Sequence, residues 1–309
     1  MVHAIAVVGA GPVGSAAAYH LAQRRVPGVV RVDGSAVRGA FRQSGGSVSW
    51  HRPDPERSRA IEETARFIRS EVASGAPIRM RDEPYLYLDT GELVDGINIE
   101  ADDLVDHLRR STDGVADLDV GEVRAVEPGD GSHRVVGTDG EVEAEVVLLA
   151  LGVANVGLSP GLTGEVEKRQ LLVLDLPVTP SQQRLPHIIT RLGEGFVYVF
   201  IKEIDGRLRF VVGQEDLVED EDHASPVDYL PQLFGAGLAE RFPFLAGAST
   251  AQVRWGSDWA GKEPHVHEPA PGLISVNCGS AVRSCIAVGR AAADAVLTAQ
   301  RAAATSAPT

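Results

Sequence analysis

Ile5-Ala-Val-Val-Gly9-Ala-Gly11-Pro-Val-Gly14-Ser-Ala-Ala-Ala-Tyr19-His-Leu21-Ala22, followed by Val29-Val-Arg-Val-Asp33, decides how the chain opens. The short β-branched run before Gly9 reads as a buried parallel strand, and Gly9 starts a tight turn. Gly11 leaves bare backbone where a pyrophosphate can approach, and Gly14 lets the next helix pack close to the sheet. The helix N-terminus adds free N–H groups and the positive end of its dipole. Asp33 lies 24 residues after Gly9, where a carboxylate can accept a hydrogen bond from a ribose 2′-OH. Strand, glycine turn, helix, second strand and acid in this order predict a dinucleotide-binding β-α-β unit. The alternative is an ordinary strand-turn-helix with no ligand.

At 309 residues the chain exceeds one average domain, and 44% hydrophobic content is ample for a core. Its formal charge of −14 argues against nucleic acid or an anionic membrane surface as a partner. Cys278 and Cys285 fit neither a zinc site nor a disulfide framework, so a reducing, cytoplasmic setting is expected. No apolar run approaches the ~18 residues a spanning helix needs, and no secretory signal precedes the first strand.

Beyond the first unit, residues 35–50 read as a polar, glycine-bearing loop ending Arg42-Gln-Ser-Gly45-Gly46-Ser-Val-Ser-Trp50. Ile61, Ala65, Ile68 and Val72 recur at helical spacing, as do Leu104 and Leu108 in a second amphipathic helix. A meander is expected over Val120–Val126, His133–Gly137 and Glu143–Leu151, its last strand apolar throughout and so central in a sheet. Four strands follow between Gln170 and Gly213, with Asp205-Gly206 at a hairpin. Tyr229 to Glu240 reads as one helix and Val253 to Pro271 as irregular. Leu273–Val276 is a strand, Asn277 to Arg283 a small-residue turn, Ser284 to Arg301 a helix, and residues 302–309 a frayed tail.

A glycine loop after the first unit, the strand ending Ala150-Leu-Gly152, and the closing strand-turn-helix together resemble the FAD-dependent oxidoreductases of the D-amino-acid oxidase superfamily, nearest the monomeric sarcosine oxidase branch. The likeness is best over residues 5–33, 42–72, 135–152 and 273–297 and weak over 170–270. It implies an α/β fold: a Rossmann-like, glutathione-reductase-type FAD-binding domain with a second, β-rich α+β substrate domain. The FAD-binding domain would comprise 1–75, 100–165 and 253–301, and the substrate domain 76–99 and 166–252. By position, Gly9, Gly11, Pro12, Val13 and Gly14 would meet the pyrophosphate, and Asp33 with Gly34 the adenosine ribose. Arg42, Gln43, Ser44, Gly45 and Gly46 would run beside the flavin, and Val123 would hold the adenine from its backbone. Ala150 and Gly152 would line the same groove, or serve only close packing. Gly279, Ser280, Ala281, Val282 and Arg283 would sit at the flavin's pyrimidine edge.

The same resemblance places a basic clamp for a substrate carboxylate on Arg52 and Arg283, the alternative being that both are surface arginines. Guanidinium geometry suits such a bidentate role. Where the branch carries a lysine that assists reaction with oxygen, this chain has Arg209; Lys202 and Lys262 are nearby alternatives. His51 reads as a base or as packing beside Trp50. Tyr198 and Trp259 read as stacking on a substrate ring or as core. No cysteine stands near Trp255, where the branch often attaches FAD, so noncovalent FAD is expected. Ser49 replaces one of the family's arginines, and the chain is shorter than usual between Ala73 and Glu100 and around 255–272. The shortened lobe implies an open site or one finished by a second subunit, with oligomeric state left open. His265-x-His267 lacks a companion ligand, so no metal is expected.

The implied activity is oxidation of a C–N bond in an amino acid or related carboxylate-bearing amine, with hydride passing to flavin N5 and O2 as acceptor. Two other readings stay open. One is an FAD monooxygenase or dehydrogenase with another donor or acceptor, which would lack a visible second nucleotide fingerprint. The other is a flavin-binding subunit without its own turnover.

Overall fold

The computed structural model describes residues 1–33, 40–49, 54–159, 166–215, 226–259 and 265–306. In chain order the strands are Val2–Val8 (β1), Val29–Asp33 (β2), Ser47–Ser49 (β3), Met80–Asp82 (β4), Tyr85–Tyr87 (β5), Glu92–Val94 (β6), Gly96–Ile99 (β7), Ala116–Asp119 (β8), Val123–Pro128 (β9), His133–Gly137 (β10), Glu141–Leu149 (β11), Val166–Pro177 (β12), His187–Leu192 (β13), Gly195–Ile204 (β14), Arg207–Glu215 (β15), Thr250–Trp259 (β16), His265–Ala270 (β17) and Leu273–Asn277 (β18). The helices are Pro12–Gln23 (α1), Pro55–Ala73 (α2), Ala101–Arg110 (α3), Asn155–Leu158 (α4), Leu230–Gly235 (α5), Leu238–Arg241 (α6) and Ala281–Ser306 (α7).

The first sheet runs β17-β18-β11-β1-β2-β8, with the β9–β10 pair joined to the first half of β11. Its central strands are parallel and apolar at consecutive positions because both faces are covered. Ile5, Val7, Val146, Leu148, Ile274 and Val276 face a helical layer that includes α1, α2, α3 and α7. Ala6, Val8, Val30, Val32, Val147 and Leu149 face the β9–β10 meander. Gly289 of α7 lies so close to α1 that a Cβ there would stand 2.6 Å from that of Ala16. The two helices thereby meet at backbone distance above the strand ends.

A second sheet of seven strands runs β16-β12-β15-β14-β13-β5-β6, antiparallel except for the parallel pair β13–β5. A small sheet, β3-β7-β4, joins the glycine loop to this lobe. The architecture is thus α/β, with one parallel sheet and one β-rich lobe. Register partners share a face, and the two faces of the seven-stranded sheet differ sharply. Leu172, Leu174, Ile188, Val199, Ile201, Phe210 and Val212 pack on Leu230, Leu233 and Leu238 of the short helices α5 and α6. The opposite face carries Leu171, Tyr198, Phe200, Lys202, Val211, His187 and Arg254.

Several expectations are corrected. Residues 229–240 are not one helix: α5 and α6 are separated at Gly237, whose φ of +99° takes the chain out of the helical path. Residues 253–259 and 265–270 are not irregular. Residues 250–259 form β16, hydrogen-bonded to β12 in the second sheet, and 265–270 form β17 on the first. The closing helix starts at Ala281 and runs to Ser306, so most of the expected frayed tail is helical; 307–309 lie outside the described residues. Among the described residues no helix is long and apolar enough to cross a membrane.

Arg31, on a central strand, is almost wholly buried, with Nε 2.6 Å from Asp117 Oδ1 and Nη1 3.3 Å from Thr112 Oγ1. That hydrogen bond from Arg31 holds the Asp117 carboxyl below its ordinary value of 3.8. A depressed carboxylate contributes stability above its unfolded pKa and loses it as pH falls through the folded one. Asp117→Asn leaves a buried guanidinium without its counter-ion, which costs roughly 3–5 kcal/mol when the pair is fully buried. Because Asp117 is 48% exposed, the low end is expected, about 3 kcal/mol in urea unfolding at neutral pH. The variant should also show a flatter decline in stability below pH 3.8. An unchanged midpoint and acid profile would remove this pair from the fold's determinants.

Candidate active site

Gly9 takes φ +105°, and a Cβ there would lie 2.5 Å from the Ala150 carbonyl oxygen. A Cβ on Gly14 would lie 1.9 Å from the Gly9 carbonyl oxygen. These two contacts seat α1 directly on the ends of β1 and β11. Gly11 is the N-cap of α1 without a side-chain cap, and Pro12 follows at the first helical turn. The first-turn N–H groups, those of Val13 and Gly14 among them, have no carbonyl one turn back to bond. Beside Gly11, a Cβ would meet only the Phe41 ring, at 3.9 Å. Asp33 ends β2 with Oδ2 accepting from Arg109 Nη1 at 3.1 Å. Its other oxygen has no partner among the described residues and can accept from a ribose hydroxyl. Gly34 lies outside the described residues.

Ala150 and Gly152 follow β11, Gly152 with φ +62° and open space around it. The buried Asn155 amide donates to Leu149 O at 3.1 Å and Val276 O at 2.8 Å. It ties the carboxyl ends of two parallel strands together, at the edge where open α/β sheets take their ligands. Val123 begins β9, half-buried.

The loop at Arg42–Gly46 is held from two sides. Gly46, at φ +69°, leaves no room for a side chain: a Cβ would stand 1.8 Å from the Ile99 carbonyl oxygen. Ile99 N donates to Gly46 O at 2.9 Å, Asn98 Nδ2 to Gly45 O at 3.0 Å, and Gly46 N to Ser44 Oγ at 3.0 Å. On the other side stands the polar face of the seven-stranded sheet. Arg254 Nη2 donates to Arg42 O at 2.7 Å, Lys202 Nζ to Gly45 O at 3.2 Å, and a Cβ on Gly45 would touch Phe200. Gln43 closes a 3-10 turn at 40–43. The Arg42 side chain itself is exposed, 3.5 Å from Asp102.

The same face reaches the C-terminal turn. Asp258 Oδ2 accepts from Ser280 N at 3.0 Å, and Ser280 holds the left-handed φ of +56°. Gly279 and Ser280 lead into α7, where Ala281, Val282 and Arg283 form its first turn. Arg283 Nε donates to Ser47 O at 3.1 Å. That bond joins the segment after the glycine loop, near the chain's beginning, to the helix at its end. Arg52, its proposed companion, falls outside the described residues, as do His51 and Lys262.

Sequence reasoning passed over His187 and Glu83. His187, buried on β13, sets Nδ1 3.2 Å from Ser47 Oγ. Its ring stacks between Tyr85 at 4.4 Å and Phe200 at 4.7 Å. Glu83 is buried, one oxygen on Arg81 and the other without a hydrogen bond among the described residues; burial raises its pKa against the pull of Arg81. Ser49, where the branch has an arginine, buries an Oγ that likewise has no partner among the described residues. The alternation Tyr198, Phe200, Lys202 along β14 was the available signal for His187's face.

Arg209 does not reach this loop. It shares the sheet face with its register partner Lys202, but Nη1 is 3.0 Å from Asp175, and the side chain lines an open groove of about 510 Å³ with Arg207 and Gln252. Trp259 is buried, as is Cys285, whose thiol burial pushes up to about 12. His265 and His267 face each other on β17, and among the described residues no group of three metal-type ligands gathers.

Residues 4–137 match a family model described as DAO, FAD dependent oxidoreductase. Over those residues the chain is similar to the FAD-dependent oxidoreductases of that family. No curated protein matches it by sequence. Among solved structures it is similar to iminodiacetate oxidase from Chelativorans sp. BNC1, with TM-score 0.73, 20% identity and 95% of each chain covered. It is also similar to glycine oxidase from Bacillus cereus, with TM-score 0.70, 16% identity, and 96% of this chain and 98% of that one covered. L-proline dehydrogenase from P. horikoshii aligns with TM-score 0.73 at 14% identity, over 96% of this chain and 94% of that one. At such identities the likeness is one of fold.

The residues present fit FAD. The cradle has no room for side chains at Gly9 and Gly14 and leaves helix N–H groups for phosphates, and one Asp33 oxygen has no partner among the described residues. Asp33→Ala should raise the FAD dissociation constant of the apoprotein roughly 10- to 100-fold, the worth of a hydrogen bond to a charged group. Fluorescence quenching of FAD measures it, and an unchanged constant would place the ribose elsewhere.

Proposed function

We propose that this DAO-family oxidoreductase oxidises the C–N bond of an amino acid or a related carboxylate-bearing amine, with O2 as the final acceptor. The observation that carries the reading is the Arg283–Ser47 bond. It fixes the guanidinium by Nε and leaves both terminal Nη groups without a partner among the described residues. A planar fork held in that way suits a carboxylate, which it can bind with two parallel hydrogen bonds. Bound FAD supplies the two-electron acceptor for hydride leaving the carbon beside nitrogen.

The chain's contribution is orientation. Anchoring the carboxylate on Arg283 limits where the adjacent carbon can lie, which makes the transfer effectively intramolecular. Ser47, His187 and the rings of Tyr85, Phe200 and Tyr198 form the wall behind Arg283. Loss of the nitrogen proton and of hydride from carbon gives an imine, which water then hydrolyses. The solved structures named above support the substrate class by fold, and they include both oxidases and a dehydrogenase.

Anaerobic mixing of the FAD-loaded protein with α-amino and N-alkyl amino acids tests the reading. The flavin band near ~450 nm should bleach with a carboxylate-bearing amine, and air should then restore it with release of hydrogen peroxide. Arg283→Ala should weaken that substrate's binding by about 2–3 kcal/mol, roughly 30- to 150-fold, with FAD content unchanged. Bleaching by amines that lack a carboxylate, or unchanged affinity in the variant, would overturn the clamp. Reoxidation by an artificial dye but not by air would replace oxidase with dehydrogenase.

A further inference from the structure

Lys202 is one of three lysines in the chain, and its side chain is 2% exposed. An ammonium has three protons to donate, and here each has an acceptor. Gly45 O lies at 3.2 Å, Ile99 O at 3.1 Å and a Glu100 carboxylate oxygen at 2.9 Å. The lysine belongs to β14 of the seven-stranded sheet. Its acceptors belong to the glycine loop, to β7 and to the residue that caps α3. One buried cation therefore spans the two sheets' lobes at the point where the loop lies between them.

Stability alone does not call for a charge at this position. Phe200 and Val211 on the same face are apolar and well packed, and taking an ammonium and a carboxylate out of water costs more than a good apolar fit. With all three protons committed, the ammonium also has none to spare for a small molecule. What it does provide is a second donor, after Asn98, to the Gly45 carbonyl, and a donor to the Ile99 carbonyl against which Gly46 is pressed.

We propose that Lys202 is a positioning residue that latches the glycine loop between the two lobes, so that retention and orientation of FAD depend on its ammonium. This rests on the reading that Arg42–Gly46 runs beside the flavin. It is distinct from the oxygen-reactive role considered for the chain's cations. Burial lowers the lysine's pKa, and the Glu100 carboxylate beside it opposes that shift.

Apoprotein is titrated with FAD, following fluorescence quenching and the visible circular dichroism of the bound flavin, for wild type, Lys202→Met, Glu100→Gln, the double variant Lys202→Met/Glu100→Gln, and Gly46→Ala. Lys202→Met should raise the FAD dissociation constant at least tenfold and change the visible dichroism at saturation. The double variant removes the stranded carboxylate, so its melting temperature should return toward wild type while FAD binding stays at least tenfold weaker. A merely structural ion pair would restore both together. A double variant that binds FAD within twofold of wild type with the same dichroism overturns the latch, even if Lys202→Met alone fails to fold. Gly46→Ala displaces the loop while keeping both charged residues, its Cβ standing 1.8 Å from the Ile99 carbonyl oxygen and 3.1 Å from Lys202 Nζ before anything shifts. If it leaves FAD affinity unchanged, the loop does not meet the cofactor and the underlying reading fails. If it weakens FAD while the double variant does not, only the latch fails.

Discussion

A loop buried between two lobes must have its backbone N–H and C=O groups paired, because an orphaned buried polar group costs about as much as a hydrogen bond is worth. The arrangement of this protein follows from that constraint. The carbonyls of Arg42 and Gly45 and the N–H of Ser280 lie away from the strand ladders, and one face of the seven-stranded sheet supplies Arg254, Lys202 and Asp258 to meet them. The other face of that sheet is an ordinary apolar layer under its own short helices. The second sheet thus supports the loop at 42–45 and the turn at Ser280 as well as enclosing its own apolar layer.

The first lobe solves a different problem, close approach. Gly9 and Gly14 bring α1 onto the strand ends, and Gly289 brings α7 onto α1. The helix that closes the chain is thereby packed against the helix that opens it, and its first turn delivers Arg283 to Ser47. Residues more than 230 positions apart in sequence become one site through backbone contacts that only glycine permits. The ion pairs at Arg31 and Arg109 stiffen the same region, the second of them by holding Asp33 at the end of β2.

Much of the first lobe was legible in the sequence because its signals are local. The fingerprint at Gly9–Gly14, the acid at Asp33, the apolar strand before Ala150 and the helix-spaced Ile61, Ala65 and Ile68 each act over a few residues. The second lobe was less legible for physical reasons. β16 is an edge strand whose side chains are mostly half-exposed, so Arg254, Trp255 and Asp258 show no clean alternation and read as irregular. Gly235 and Gly237 both fall within an otherwise helical pattern, and it is the positive φ of Gly237 that splits the helix. His187 is an isolated polar residue whose partner Ser47 lies on another sheet, 140 positions away, and Glu83, two residues from its partner Arg81, carries no sign in the sequence that it is buried. Arg209 and Lys202 share a face, yet which of the two turns to the loop depends on Asp175 and Glu100, neighbours that a linear reading does not supply.

The central claim is that three separated segments close on one FAD molecule against the polar face of the second sheet. Hydrogen–deuterium exchange, compared between apoprotein and protein saturated with FAD, tests it directly. The account expects slower exchange in peptides covering 9–14, 42–49 and 279–283 together. Protection confined to 9–14, with the other two segments exchanging as before, would contradict it.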